Sequence, residues 1–240
     1  MKYLDVSFND LNIQEDLFLT IGNFDGIHKG HQKVLNYLTY NAKISKIKSA
    51  ILSFSPHPKI FFNNEKNFLI NSKEKKIFIL KNLNIDYLID LRFDNELTQL
   101  SFNEFEQNIL LNKLSIKKLY LGEDFRYGNK RKGNLETLRS LCSTSDIKLE
   151  ELQLLNHNSS DEKISSSNIR QLLKSGEIEK ANECLVEKFS ITEKVTKGDQ
   201  RGRTIGIPTA NLKYPEDIIK IPYGVYAVQI KILNNIHFGI

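Results

Sequence analysis

Residues 18–35, FLTIGNFDGIHKGHQKVL, decide the fold. Phe18, Leu19, Thr20 and Ile21 form a short apolar run of buried-strand type. Gly22, Asn23, Asp25 and Gly26 break it with turn residues. From Ile27 the period becomes helical, with Ile27, His31, Val34, Leu35, Leu38 and Ala42 on one face. A strand that enters a helix through such a turn leaves backbone N–H groups exposed at the helix start, where anions bind. His28 and His31 stand there on one side of the first turn, and Gly30 between them lets a ligand approach the backbone. The glycine spacing is neither that of a Walker loop nor that of a dinucleotide fingerprint. The residues alone leave three readings of the pair: phosphate binding, a satisfied core histidine at His31, or a metal held together with Asp25.

Working outward, residues 47–54 read as a second strand, which completes a βαβ unit and implies parallel pairing. That strand runs into Ser55-Pro56-His57-Pro58, where two prolines predict an extended loop rather than a helix. The carboxyl end of a strand is where open α/β sheets bind ligands, although on the residues alone a rigid solvated loop is the favoured reading. A helix is expected from about Ser72, with Lys75, Lys76 and Lys81 on a solvated face. Strands follow at 86–91 and 117–121, separated by a helical stretch at 96–114 in which Phe102 and Phe105 are core. The loop after 121 crowds Asp124, Phe125, Arg126, Tyr127 and several glycines and cations together, more than a plain connector needs. A helix at 134–145 and a strand at 147–155 come next. Ser165, Ser166 and Ser167 then precede a helix whose apolar face holds Ile169, Leu172 and Leu173, closed by Gly176. Arg170 sits at the wrong pole of that helix's dipole, an arrangement that an anion would reverse. Hydroxyls, free N–H groups and a guanidinium make a phosphate clamp; a plain serine cap beside a surface arginine is the alternative.

These strings carry a resemblance. His28-Lys29-Gly30-His31 resembles the HxGH signature of the nucleotidyltransferases, and Ile164–Arg170 their ISSTxIR motif, with Ser167 for Thr. The longer string from Gly22 to His31 resembles the adenylyltransferase module of bacterial bifunctional riboflavin kinase/FAD synthetases. SFSPHP and GEDFRYG are similar to that family's TFxPHP and GxDFRFG loops, with Ser53 for Thr and Tyr127 for Phe. The resemblance implies a Rossmann-like doubly wound parallel sheet over residues 1–185 that makes FAD from ATP and FMN with Mg²⁺. It implies catalytic roles for His28, His31, Arg170, Ser165 and Ser166. It implies ATP contacts at Gly22, Asn23, Phe24, Gly30, Asp124 and Ser167. Flavin contacts are implied at Ser55, Pro56, His57, Pro58, Phe125, Arg126 and Tyr127. HxGH alone does not choose the acceptor, so a transferase of another acceptor, or a flavin–nucleotide binder without catalysis, stays open.

From Phe189 the period becomes two, with Phe189, Ile191 and Val195 alternating with polar residues. Residues 197–211 carry three glycines and three cations and end in PTAN, which resembles the riboflavin kinase motif. The resemblance implies that Gly198, Arg203, Gly206, Thr209 and Asn211 are a kinase phosphate loop, with Thr209 and Asn211 on Mg²⁺. A further strand is expected at 223–232. The expectation is part of a small antiparallel β-barrel over 186–240, shorter than the kinase requires, so that riboflavin phosphorylation is not expected of this chain alone.

Composition narrows the class. The 240 residues carry a net charge of +5, 40% hydrophobic and 26% charged residues, ordinary for a globular chain of one or two domains. The lysines are spread out, which argues against nucleic acid as a partner. Cys142 and Cys184 lie far apart without metal-type spacing, and no stretch has signal-peptide or membrane-spanning character, so a reducing, cytoplasmic setting is expected.

Overall fold

The structure is a computed structural model that describes residues 1–152, 164–198, 209–233 and 235–240. A six-stranded parallel sheet dominates it, built from β1 (Lys2–Val6), β2 (Ile13–Ile21), β3 (Lys48–Ser55), β4 (Tyr87–Arg92), β5 (Leu114–Gly122) and β6 (Lys148–Leu152) in the order β1-β4-β3-β2-β5-β6. The order reverses at β2, which has β3 on one side and β5 on the other. That is the switch point at which doubly wound sheets open a crevice beyond their carboxyl ends. The opening stretch therefore sits where a ligand site belongs.

Period-two alternation assigns the faces. Leu17, Leu19 and Ile21 pack with Leu52, Ile89, Leu119, Ile109 and Leu138 on one side. Phe18, Ile51, Leu88 and Tyr120 meet Leu35, Leu38, Ile79 and Leu80 on the other. The second face is covered by α1 (Lys29–Ser45) and α3 (Lys73–Asn82). In the chain, α2 (Pro58–Asn63) comes between these two helices. The first face is covered by α4 (Asn95–Gln99), α5 (Phe102–Phe105), the wider-wound turn Glu106–Leu111 that continues α5, and α6 (Leu135–Ser143). A third apolar cluster joins α7 (Ser166–Lys174) and α8 (Ile178–Cys184) through Ile70, Ile169, Leu173, Ala181 and Leu185.

Several expectations change. β1 is an edge strand that the sequence reading missed; its five residues are exposed or half-buried throughout and make no buried apolar run. The single helix expected at 96–114 is two short helices, because Ser101 starts a new one with a reciprocal cap to Glu104. The loop after Pro56 is not wholly extended. Pro58 opens α2 at the first helical position, where its missing N–H costs nothing. Phe189–Lys194 form no strand despite their alternation. The second segment contains β7 (Val195–Thr196) paired antiparallel with β8 (Asn211–Leu212), and β9 (Val228–Ile232) paired antiparallel with β10 (Asn235–Gly239). Ile218 and Ile219 of this segment pack against the first: Ile219 N–H donates to Leu69 O at 2.8 Å, and Ile219 joins the cluster of Ile169 and Leu173.

Candidate active site

β2 ends at Ile21, and Gly22–Ile27 turn the chain into α1. The turn needs two left-handed residues besides glycine, Phe24 (φ +49°) and Ile27 (φ +38°). Asn23 Oδ1 accepts the Phe54 N–H at 3.1 Å, which ties this turn to the end of β3. His28 is the cap of α1, its Nδ1 accepting the His31 N–H at 3.2 Å. With Nδ1 as acceptor, the neutral ring carries its proton on Nε2. The two imidazoles stack, centroids 3.6 Å apart, and Phe24 lies 4.9 Å from His31. A Cβ at Gly30 would come within 3.0 Å of His28 Nδ1, so a side chain there would displace the ring.

The opposite wall is the start of α7. Ser165 caps that helix, its Oγ accepting the Asn168 N–H at 3.1 Å. Ser166 Oγ donates to Asp25 O at 2.8 Å. Arg170 is buried; its Nε donates to Phe68 O at 2.9 Å and its Nη2 to Asp25 Oδ2 at 2.5 Å. Asp25 also accepts the Ile70 and Asn71 N–H groups. The histidine turn, the 68–71 segment and α7 therefore converge on one buried carboxylate. Arg170 lies on the same side of the molecule as His28, as the clamp requires, but two of its nitrogens are occupied. Ser166 likewise spends its hydroxyl on Asp25 rather than facing a phosphate. Ser167 is exposed beside it.

Phe68 links this wall to the Ser55–Pro58 loop. The Arg170 guanidinium lies 3.8 Å above its ring, and the His57 ring is 4.8 Å away. His57 caps α2, with Nδ1 accepting the Lys59 N–H at 3.1 Å. Beyond it runs a chain of aromatic rings. Phe61 and Phe62 lie 5.4 and 5.6 Å from Phe93, Phe93 lies 5.7 Å from Phe54, and Phe54 lies 6.5 Å from Phe105. Phe62 is 65% exposed at the open end. The sequence reading did not single out Phe54, Phe61, Phe62, Phe68 or Phe93; nearness to the SPHP string marks the first three, while Phe68 and Phe93 carry no local signal.

Asp124 and Arg126 are exposed, Ser55 and Phe125 are half-buried, and Pro56 and Pro58 lie at the start of α2. Tyr127 is a correction: it is core. Its hydroxyl is spent on Glu106 and, at 2.8 Å, on Thr137, which leaves none for a flavin. Gly128 (φ +71°) is held against Phe102, whose backbone N a Cβ would meet at 2.7 Å.

Burial governs protonation. It pushes His28 and His57 down to about 4, with Arg170, Lys59 and Lys76 adding to the effect at His57. His31 is lowered well below its ordinary value, by burial first and then by His28 and Lys76. Burial raises Asp25, opposed by Arg170 and the two N–H donors. The ligand-free imidazoles are thus neutral near pH 7. A histidine lowered in the folded state binds fewer protons there than in the unfolded chain between about pH 6.5 and 4. Its contribution to stability is complete above that window and is lost as pH falls through it. Urea midpoints should fall from pH 7 to 4 more steeply in the wild type than in His57→Asn; equal slopes would remove His57 from the account.

Lys75 and Lys76 correct the expected solvated face. Lys75 Nζ reaches Lys188 O and Ser190 Oγ, and Lys76 Nζ is buried between β3 and β4. Lys81 is exposed as expected. The metal reading of the histidine pair loses its third ligand, because Asp25 is committed to Arg170 and two N–H groups. Among the described residues no group of three or more His, Cys, Asp or Glu side chains is placed to hold a metal. Arg203 and Gly206 lie outside the described residues. Gly198 faces Asn211, and both Thr209 and Asn211 are exposed. Their oxygens are the hard donors that Mg²⁺ takes.

A family model described as FAD synthetase matches residues 10–168, and one described as riboflavin kinase matches residues 185–240. A bifunctional riboflavin kinase/FMN adenylyltransferase of Buchnera aphidicola from Schizaphis graminum is 36% identical over 239 residues, 99% of this chain and 76% of that protein. The Listeria monocytogenes protein of the same description is 33% identical over 223 residues, 92% of this chain and 70% of that one. A crystal structure described as a macrolide-efflux protein from Streptococcus pneumoniae superposes with a TM-score of 0.86 at 26% identity, covering 98% of this chain and 77% of that one. Among the described residues no helix is long and apolar enough to cross a membrane. With an FAD synthetase domain, a riboflavin kinase match behind it and relatives aligned along nearly its whole length, the chain belongs to the bifunctional riboflavin kinase/FMN adenylyltransferase family.

Proposed function

We propose that the crevice between the start of α1 and the start of α7 holds the triphosphate of ATP, and that FMN lies toward the His57 loop and the Phe62–Phe93 rings. The FMN phosphate is already an anion at pH 7, its second pKa being near 6. It attacks the α-phosphorus, the bond to the bridging β-oxygen breaks, and pyrophosphate leaves. No general base is needed. The work is in-line placement and neutralising charge. His28 donates from Nε2 to the phosphates, and the Lys29 and Gly30 N–H groups add the positive end of α1. Arg170, paired with Asp25, holds the start of α7 against the histidine turn rather than gripping a phosphate. Mg²⁺, if bound with the nucleotide, would supply further charge neutralisation. Thr209 and Asn211 would hold a second Mg²⁺ in the kinase segment. Residues 1–185 and 186–240 serve as the two domains, with the 216–221 strand-like strip lying on the first.

The observation that carries this reading is the Asp25 junction: one buried carboxylate joins both phosphate-type motifs. An acceptor panel with α-labelled ATP tests it. Label should pass to FMN in preference to riboflavin or to phosphorylated acceptors without a flavin ring. Equal transfer to the last group would end the flavin assignment.

A further inference from the structure

Lys76 lies outside every motif described above, yet its side chain is largely withdrawn from solvent. Its side chain is 15% exposed and that of Asp90 6%. Nζ donates to Ser53 Oγ at 2.6 Å and approaches Asp90 Oδ1 at 3.3 Å. Ser53 and Asp90 are register partners on β3 and β4, and they also bond to each other. Tyr3 of β1 donates to the other Asp90 oxygen at 3.1 Å. The ammonium therefore pins β3 and β4 to each other two residues before each strand ends. Phe54 and Phe93, just beyond those pinned residues, are the rings 5.7 Å apart in the aromatic chain, and Phe93 N–H donates to Ser55 O at 2.8 Å. His57 follows two residues after Ser55.

We propose that Lys76 is a positioning residue for the flavin side of the site, holding the ends of β3 and β4 at the spacing that the His57 loop and Phe93 need. This rests on the FMN reading above. A lysine at the start of α3 has no other evident reason to be buried: as a bare counter-ion for Asp90 it would be replaceable by removing both charges. Flavin recognition should then depend on Lys76 through geometry, while the phosphate side, which only its charge reaches at His31 and Asp25, should respond less.

The test uses the full chain with Lys76→Met and the charge-balanced pair Lys76→Met/Asp90→Asn. FMN Kd is read from quenching of flavin fluorescence, KM for ATP from turnover and stability from urea midpoints. Both variants should bind FMN about tenfold more weakly, with KM for ATP within threefold of wild type, and the pair should regain most of the midpoint lost by the single variant. If FMN affinity returns together with the midpoint, or never changes by more than twofold, Lys76 only neutralises Asp90 and the proposal falls. Should Lys76→Met fail to fold, the paired variant alone decides. A wild type that binds FMN but makes no FAD would fail the function and leave the Lys76 measurement intact.

Discussion

His28→Ala is expected to slow FAD formation by about 10²–10³-fold, the loss typical when one pre-organised donor is removed from a site of developing charge. The argument starts from the cap. His28 Nδ1 is committed to the His31 N–H, so the ring is held with Nε2 as its free donor. Burial keeps the imidazole neutral at pH 7, and a neutral donor in a dry crevice interacts more strongly with phosphate than one in water. The same cap means that alanine also costs about 0.5–2 kcal/mol of stability. His28→Asn separates the two effects, because its carbonyl oxygen can still cap α1. Asparagine should restore the urea midpoint to near wild type and leave kcat/KM reduced at least tenfold. A rate for His28→Ala within about threefold of wild type, under ~0.7 kcal/mol, would remove His28 from the chemistry.

Arg170→Met is expected to cost about 3–5 kcal/mol of stability, because it strands the buried Asp25 carboxylate without its charge partner. The two groups are 2.5 Å apart, with side chains 10% and 8% exposed. The cost should grow with pH. Burial already raises the Asp25 pKa, and loss of Arg170 raises it further. A carboxyl raised in the folded state keeps its stability at low pH, where it is protonated in both states, and loses it as pH climbs above its unfolded value. Urea midpoints of Arg170→Met should therefore approach wild type near pH 4 and fall away toward pH 8. Adding Asp25→Asn should recover most of the loss at pH 8 without recovering adenylyl transfer. A single variant within about 0.5 kcal/mol of wild type at pH 8, the scatter of an ordinary surface change, would show that the junction is not what joins the two motifs.

The fold was legible where period and punctuation agreed. Phe18–Ile21, Gly22 and the apolar face from Ile27 marked the strand, turn and helix, and the parallel pairing of β2 with β3 followed from the βαβ logic. Arg170 shows how far the physics of a helix terminus reaches. Its wrong-pole position calls for an anion, and the anion bonded to it in the structure is the carboxylate of Asp25. Nothing in the local spacing could have paired residues 25 and 170. Lys76 was hidden for a similar reason: helical periodicity sorts faces but does not say which lysine finds a carboxylate beneath it. Tyr127 was misassigned because its loop is polar while its ring packs inward onto Phe105, at 5.5 Å. Pro58 shows the ambiguity of proline, which ends one element and opens another equally well.

The central claim is that one crevice, walled by His28 on one side and the Asp25–Arg170 junction on the other, moves AMP from ATP to FMN. Following ATP labelled at the α-phosphorus during turnover with FMN tests it most directly. The account predicts that the label appears in FAD, mole for mole with pyrophosphate. Release of the label as free AMP or ADP, or FMN recovered unchanged beside intact ATP, would contradict it.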